Sequence, residues 1–415
     1  MRVLTMPACN SLSQSAGHNF GNPARLSRLK RVLCLHDFES LAERHLPRPL
    51  FGYVAGAVED GMSAKNNRNM FAGYGFKTRA LRDVSGRDQS IQLFGKNYAS
   101  PIGIAPMGIA ALTAYRGDIV LAKAASDCRI PCIMSGSSLI RLEEVMAEAP
   151  ETWFQAYLPA KAQQMWDLID RAADAGVQTL VVTVDTPVMA NRENNVRAGF
   201  STPLKINMSL AYQGISHPKW LIGTFMRTLV KYGMPHFENN YAHRGAPILS
   251  NLVTRDLSER GHVTWEHLKG IRKRWKGILV LKGLLCADDA VLARNVGADG
   301  IIVSNHGGRQ LDGAVTPIQV LPQIMEKAGA MTVMMDSGVR RGTDVLKAVA
   351  LGASCAFVGR PFNYAASIAG AEGVRHGIQL LCAEISRNMG MLGVTRVDEI
   401  TPDYLMKIPD HHNFS

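Results

Sequence analysis

Along the chain, short apolar runs alternate with longer stretches in which apolar residues return every three or four positions. The runs are Pro101–Ala105, Ile130–Met134, Trp153–Ala156, Thr179–Val184, Ile278–Leu281, Gly300–Val303, Met331–Met335 and Cys355–Val358. Between them lie amphipathic stretches: Ile119–Asp127, Lys161–Ala175, Thr264–Trp275, Ala287–Val296, Ile318–Lys327 and Gly342–Leu351. Short runs without a polar face are strands buried on both sides, as in a parallel sheet covered by helices. Eight such units predict an α/β fold, a (β/α)8 TIM barrel, from Pro101 to about Gln379. An open doubly wound sheet is the competitor, and it would carry a glycine-rich fingerprint after its first strand. Here Pro106-Met107-Gly108 follows that strand, and no GxGxxG opens a helix. Upstream, Asp37–His45 and Leu50–Asp60 read as helices and Ile91 marks a short β segment, so the barrel has an N-terminal helical extension. A long insertion after strand 4, about 201–262, far exceeds an ordinary βα loop. We divide the chain into a basic, disordered tail at 1–35 and the barrel unit at 36–415.

Composition changes this picture little: 47% hydrophobic and 20% charged residues exclude a disordered, collagen-like or disulfide-stapled chain. Charge changes it more. Of the formal +11, residues 1–35 hold +5 and residues 201–250 hold +4, which leaves +2 for everything else. A nearly neutral body argues against nucleic acid as a partner. The seven cysteines form no CxxC pair, so no metal site is expected, and a reduced, cytoplasmic setting fits. The longest uncharged run, Asn97 to Tyr115, is broken by Pro101, Gly103, Pro106 and Gly108 and does not suit a spanning helix. The acid-free N-terminus is transit-peptide-like in composition alone, and a disordered tail is the favoured reading. In the insertion, Lys219, Arg227 and Lys231 flank aromatic and aliphatic residues at about helical spacing. That pattern suits the surface of an anionic membrane, and peripheral contact through 201–250 is the expectation; a lid or a subunit contact is the alternative.

In a barrel of this kind, reactive side chains stand where strands end. Those positions here hold Pro106-Met107-Gly108, Ser135, Gln155 with Tyr157, and Thr183 with Asp185 and Arg192. They continue with Lys282, then Ser304, His306 and Arg309, then Asp336, Gly338 and Arg340, and finally Gly359-Arg360. The last two loops, with glycines and the guanidinium donors Arg340 and Arg360, suit a phosphate. With Lys282 and several hydroxyls deeper in, they suggest a phosphorylated cofactor across the barrel mouth. His306 can take a proton near neutral pH, Asp185 can orient its ring, and Arg309 with Arg192 can grip a carboxylate.

Ser304-Asn305-His306-Gly307-Gly308-Arg309-Gln310-Leu311-Asp312 resembles the active-site signature of the FMN-dependent L-2-hydroxy acid oxidising enzymes. That family includes glycolate oxidase, lactate oxidase and the lactate and mandelate dehydrogenases. The resemblance runs from about His36 to Ile400. Asp336-Ser337-Gly338-Val339-Arg340 and Gly359-Arg360-Pro361-Phe362 are most similar to the bacterial respiratory L-lactate dehydrogenases.

The resemblance implies FMN as cofactor, His306 as base and Asp185 as its partner. It places the substrate carboxylate on Arg309, Arg192 and Tyr53 and the substrate hydroxyl on Tyr157. It implies flavin contacts from Pro106, Met107, Gly108, Ser135, Gln155, Thr183 and Ser304, with Lys282 beside the ring's N1 and O2. Asp336, Ser337, Gly338, Arg340, Gly359 and Arg360 would hold the phosphate. Some positions depart from the family pattern: Ala57 and Gly136 replace a usual glycine and a usual Ser or Thr. Ser137 stands where some members carry a bulky aromatic, and Gly108, where oxidases have alanine, goes with dehydrogenases.

The implied activity is oxidation of an L-2-hydroxy acid, L-lactate foremost, with electrons passed to a quinone or cytochrome. Peripheral attachment to the inner membrane and a homo-oligomer, a tetramer by resemblance, complete the expectation. Two alternatives stay open: an oxidase that makes peroxide from O2, and a barrel that binds a flavin or other phosphorylated ligand without redox chemistry.

Overall fold

The computed structural model describes residues 29–201, 208–250, 252 and 261–408. Most of the acid-free tail, residues 1–28, and Lys205 of the insertion lie outside them. Eight parallel strands form one sheet: β1 Ile102–Ile104, β2 Ile133–Ser135, β3 Trp153–Ala156, β4 Thr179–Thr183, β5 Ile278–Leu284, β6 Gly300–Val303, β7 Thr332–Met335 and β8 Ala356–Val358. β8 pairs with β1, and a parallel bridge from Ile104 to Cys132 closes the circle. The (β/α)8 barrel read from the apolar runs is therefore present.

Alternation along the strands sorts the core into two parts. Val181, Val280, Ile302 and Met334 pack inside the barrel with Trp153 and Phe357. Their neighbours Leu180, Leu281, Ile301 and Val333 face outward against the helices. The hairpin Ile91–Leu93/Lys96–Tyr98 closes one end of the interior: Leu93 and Tyr98 join the inner cluster and Phe94 packs 5.7 Å from Trp153. The other end, where the strands finish, stays open.

Three N-terminal helices lean on the barrel: α1 Leu35–His45, α2 Arg48–Ala55 and α3 Met62–Asn69. The stretch expected as one helix over Leu50–Asp60 ends instead at Gly56, and α3 starts only after Gly61, whose φ is +74°. Leu29 and Val32 are buried in the outer core. A helix from Arg360 to Leu392, broken at Ala369 and Gly370, follows β8 and packs along α1 and the helix Gly117–Asp127.

In the insertion, Met208–Ser216 is helical, and Pro218–Trp220, the π-helical Leu221–Met226 and Arg227–Tyr232 form one further run. Buried Trp220 moors that run, its indole Nε1 donating to the Leu112 carbonyl at 2.7 Å. Arg227 lies over the Tyr115 ring at 3.9 Å. Along these helices Met208, Tyr212, Ile215, Ile222, Met226 and Val230 are exposed. No helix of the described residues is long and apolar enough to cross a membrane.

Candidate active site

Strand register brings the chemistry together. Ser135 pairs with Gln155 across β2 and β3, and Thr183 pairs with Lys282 across β4 and β5. Of the twenty residues singled out from sequence, sixteen line one cavity of about 980 Å³ at the carboxyl ends of the strands. The other four, Asp185, Ser135, Gln155 and Ser304, sit directly behind that lining through hydrogen bonds to its members or to each other. Ser135 Oγ donates to Gln155 Oε1 at 3.2 Å, and Lys282 Nζ donates to Ser304 Oγ at 2.8 Å. No metal-binding group of histidine, cysteine and carboxylate side chains occurs among the described residues.

His306 and Asp185 form the central pair, with Nδ1 of the ring 2.9 Å from Oδ1 of the carboxylate. Donation from Nδ1 leaves Nε2 as the free acceptor of the neutral ring. His306 has φ +57°, and Gly307 and Gly308 continue in the left-handed region, so the loop turns sharply after β6. Burial pushes the His306 pKa down, Asp185 pulls it back, and Lys282 and Arg192 push it down further; the net direction is downward. For Asp185, burial works upward and is outweighed by His306 and then Lys282, so its pKa is lowered. The carboxylate thus stays charged beside a ring that is neutral near pH 7.

Lys282 is buried and pairs with Asp336 at 3.0 Å. Burial alone would lower its pKa, but Asp336 and Asp185 outweigh that, and the net shift is upward. The same cavity is lined by Arg192, Arg309, Arg340 and Arg360, whose guanidinium groups donate to neutral acceptors. Arg309 donates to the carbonyls of Gly56 (2.7 Å) and Val54 (3.3 Å). Arg360 donates to those of Val54 (3.0 Å), Gly56 (2.8 Å) and Gly307 (3.0 Å), and Arg340 to that of Val339 (2.9 Å). Arg192 donates to the Arg309 carbonyl and to Gln310 Oε1. Burial, then mutual repulsion, lowers Arg309 to about 9 and Arg340 to about 10. Such a cluster calls for anions.

Two observations test whether FMN suits this cavity. Gln155 Nε2 is buried and makes no hydrogen bond, an orphan donor beneath the barrel mouth. After β7, Ser337 (φ +75°) and Gly338 (φ +90°) are both left-handed, and a Cβ on Gly338 would lie 1.9 Å from the Asn67 carbonyl oxygen. Gly338 therefore has no room for a side chain, and the loop presents bare backbone to the cavity it lines. With Arg340 alongside, the loop fits a phosphate, and the orphan amide fits a ring carbonyl.

The FMN-dependent dehydrogenase family profile matches residues 42–407. The chain belongs to that family. It is 34% identical over 374 residues to the (S)-mandelate dehydrogenase of Pseudomonas putida, covering 89% of this chain and 93% of that one. It is 36% identical over 379 residues to an L-lactate dehydrogenase of Vibrio parahaemolyticus, covering 90% and 98%. A crystal structure of the monotopic membrane protein (S)-mandelate dehydrogenase superposes with a TM-score of 0.85 at 33% identity, over 91% of this chain and all of that one. As a member of the FMN-dependent dehydrogenases, the protein is an enzyme that uses FMN to oxidise an L-2-hydroxy acid.

Sequence reasoning passed over several residues at this site. Gln310 lies inside the quoted motif yet received no role; it accepts from Arg192 and its Nε2 donates to the Asp185 carbonyl at 3.4 Å. Phe200 packs at a tilt against Tyr53, ring centres 4.6 Å apart, and lines the cavity, as does Phe237 from the insertion. Neither phenylalanine carries a local sequence signal.

Proposed function

We propose that the enzyme oxidises L-lactate to the 2-oxo acid and hands the electrons to a quinone or a cytochrome at a membrane surface. The Asp185–His306 pair facing a cavity that also holds Arg192 and Arg309 carries this reading. Arg309 and Arg192 receive the substrate carboxylate, with Tyr53 beside Arg309, whose guanidinium carbon lies 5.1 Å from that ring. Tyr157 holds the hydroxyl, and His306 Nε2 takes the proton while Asp185 stabilises the imidazolium. FMN, when bound, supplies the two-electron acceptor. Gln155, Ser135, Thr183, Ser304 and the Pro106-Met107-Gly108 backbone are assigned to its ring, with Lys282 supplying positive charge beside it. Asp336, Ser337, Gly338, Arg340, Gly359 and Arg360 are assigned to its phosphate.

Two features bear on substrate and location. Gly108 and Ser137 meet side by side, a Cβ built on Gly108 lying 3.2 Å from that of Ser137. These small residues favour a second reading in which a bulkier L-2-hydroxy acid such as mandelate is the better substrate. The exposed apolar residues of 208–230, with Lys219 and Lys231 on the same run, support peripheral attachment to the inner face of a membrane.

The test is a panel of L-2-hydroxy acids assayed against O2, a quinone analogue and cytochrome c. Purified yellow protein should be bleached anaerobically by L-lactate and not by D-lactate. Rapid peroxide release would convert the reading to an oxidase, and L-mandelate exceeding L-lactate in kcat/KM would favour the larger substrate. Deleting Ser209–Tyr232 should release the protein from membranes; an unchanged bound fraction would refute the attachment.

A further inference from the structure

β5 ends irregularly. Its register with β6 slips between Lys282 and Leu284, so Gly283 forms a bulge. Gly283 has φ +112°, a backbone conformation that residues with side chains rarely adopt. A Cβ built there would lie 2.5 Å from Asp185 Cγ, 2.6 Å from its Cβ and 2.8 Å from its Oδ2. Ordinary contact begins at 3.4 Å, so the Asp185 carboxyl fills the space that a side chain on residue 283 would need.

We propose that Gly283 is a positioning residue for the reaction: its bare backbone at the bulge sets where the Asp185 carboxylate stands and thereby aims His306. This rests on His306 being the base. Two observations converge on the assignment. The last rung between β4 and β5, Val184 N–H to the Lys282 carbonyl at 2.9 Å, ends one residue short of both Asp185 and Gly283. Asp185 Oδ1 is held by His306, whereas buried Oδ2 has no hydrogen-bond partner, so contact with the bare Gly283 backbone, not a second donor, limits that side of the carboxylate. Lys282, one residue earlier, already points inward to Ser304 and Asp336 by the ordinary alternation from Val280, so the slip bears on the Asp185 side alone.

A methyl group at 283 would force the Asp185 carboxyl back by about 0.9 Å to regain the 3.4 Å contact. A misplacement of about 1 Å in such a constellation costs roughly 100-fold in rate. The charged groups that face the pair are Asp185, Lys282 and Arg192 around His306, and His306 and Lys282 around Asp185. With Asp185 drawn away, burial and then Lys282 and Arg192 go unopposed, and the His306 pKa falls.

The experiment is anaerobic flavin reduction by L-lactate or L-mandelate, followed against pH in the FMN-loaded wild type, Gly283→Ala, Asp185→Asn and the double variant. The expected result is a roughly 100-fold slower reduction in Gly283→Ala, an acid limb displaced to lower pH, and little further loss when Asp185→Asn is added. An unmoved pH limb, or losses that multiply in the double variant, overturns the proposal. Should Gly283→Ala fail to fold, Gly283→Ala/Asp185→Gly removes the opposing side chain. Its recovery of FMN binding supports the assignment, and its failure assigns Gly283 to the bulge alone and overturns it. His306→Ala retaining wild-type reduction would instead sink the base assignment.

Discussion

Asp185→Asn isolates charge from geometry at the centre of the site. The amide oxygen can still accept from His306 Nδ1 at 2.9 Å, so the ring stays aimed, but the negative charge is gone. In the proposed reaction Nε2 takes the substrate proton, and the imidazolium then faces a carboxylate in the wild type and a neutral amide in the variant. With charge centres about 4 Å apart and an effective dielectric of about 20, a full ion pair is worth about 4 kcal/mol. If about half the charge has developed in the transition state, about 2 kcal/mol is lost, and the stronger charge-assisted hydrogen bond adds about 1 kcal/mol more. Reduction should therefore slow by about 100-fold, at roughly 1.4 kcal/mol per tenfold. The sign of the pH effect follows from the same pair. The base works deprotonated, and its pKa already lies below the ordinary value of 6.5. Removing Asp185 removes the main influence raising it, so the acid limb moves to still lower pH and the loss is smaller in acid than at neutrality. Stopped-flow bleaching of FMN-loaded enzyme under anaerobic conditions measures both. A variant that keeps FMN, reduces it within about threefold of wild type at neutral pH and leaves the limb unmoved would refute the reasoning.

Lys282→Met leaves buried Asp336 without its cation and should cost about 3–5 kcal/mol of stability by urea unfolding; in the holoenzyme it should lower the flavin midpoint potential. Gln155→Leu removes the orphan Nε2 donor and should weaken FMN binding about threefold to tenfold by fluorescence titration of the apoprotein. Ser137→Trp fills the space beside Gly108 and should shift the kcat/KM ratio toward L-lactate over L-mandelate by roughly tenfold or more. An unchanged ratio would place the substrate side chain elsewhere in the cavity.

The barrel was legible because burial on both faces writes strands as unbroken apolar runs. Trp153–Ala156 and Gly300–Val303 keep the bounds expected from sequence. Where tertiary contacts decide, pattern failed. The stretch over Leu50–Asp60 is apolar enough for one helix, yet it stops at Gly56, whose carbonyl accepts from Arg309 and Arg360 far along the chain. The Asp185–His306 contact was legible as two strand-end residues with complementary chemistry. Gly283 was not, because its proposed role is defined by a carboxylate just past the end of the neighbouring strand β4 and by a register slip that local sequence does not encode. Trp220 likewise reads as one aromatic residue in a basic-apolar segment, and only its bond to Leu112 shows that it moors the run.

The arginine cluster explains why the N-terminal helices belong to the site. A helix leaves its last carbonyls unpaired and partly negative. The C-terminal end of α2 aims those of Val54 and Gly56 at two guanidinium groups, Arg309 and Arg360. Carboxylates in those places would have neutralised the arginines and competed with the ligand for them. Carbonyls orient them and leave the charge to be met by anions entering the cavity. The formal +11 of the chain overstates its affinity for polyanions, since the tail and the insertion hold most of it. What remains inside is a small, oriented excess of positive charge, suited to a phosphate at the Ser337–Arg340 loop and to a single carboxylate between Arg192 and Arg309.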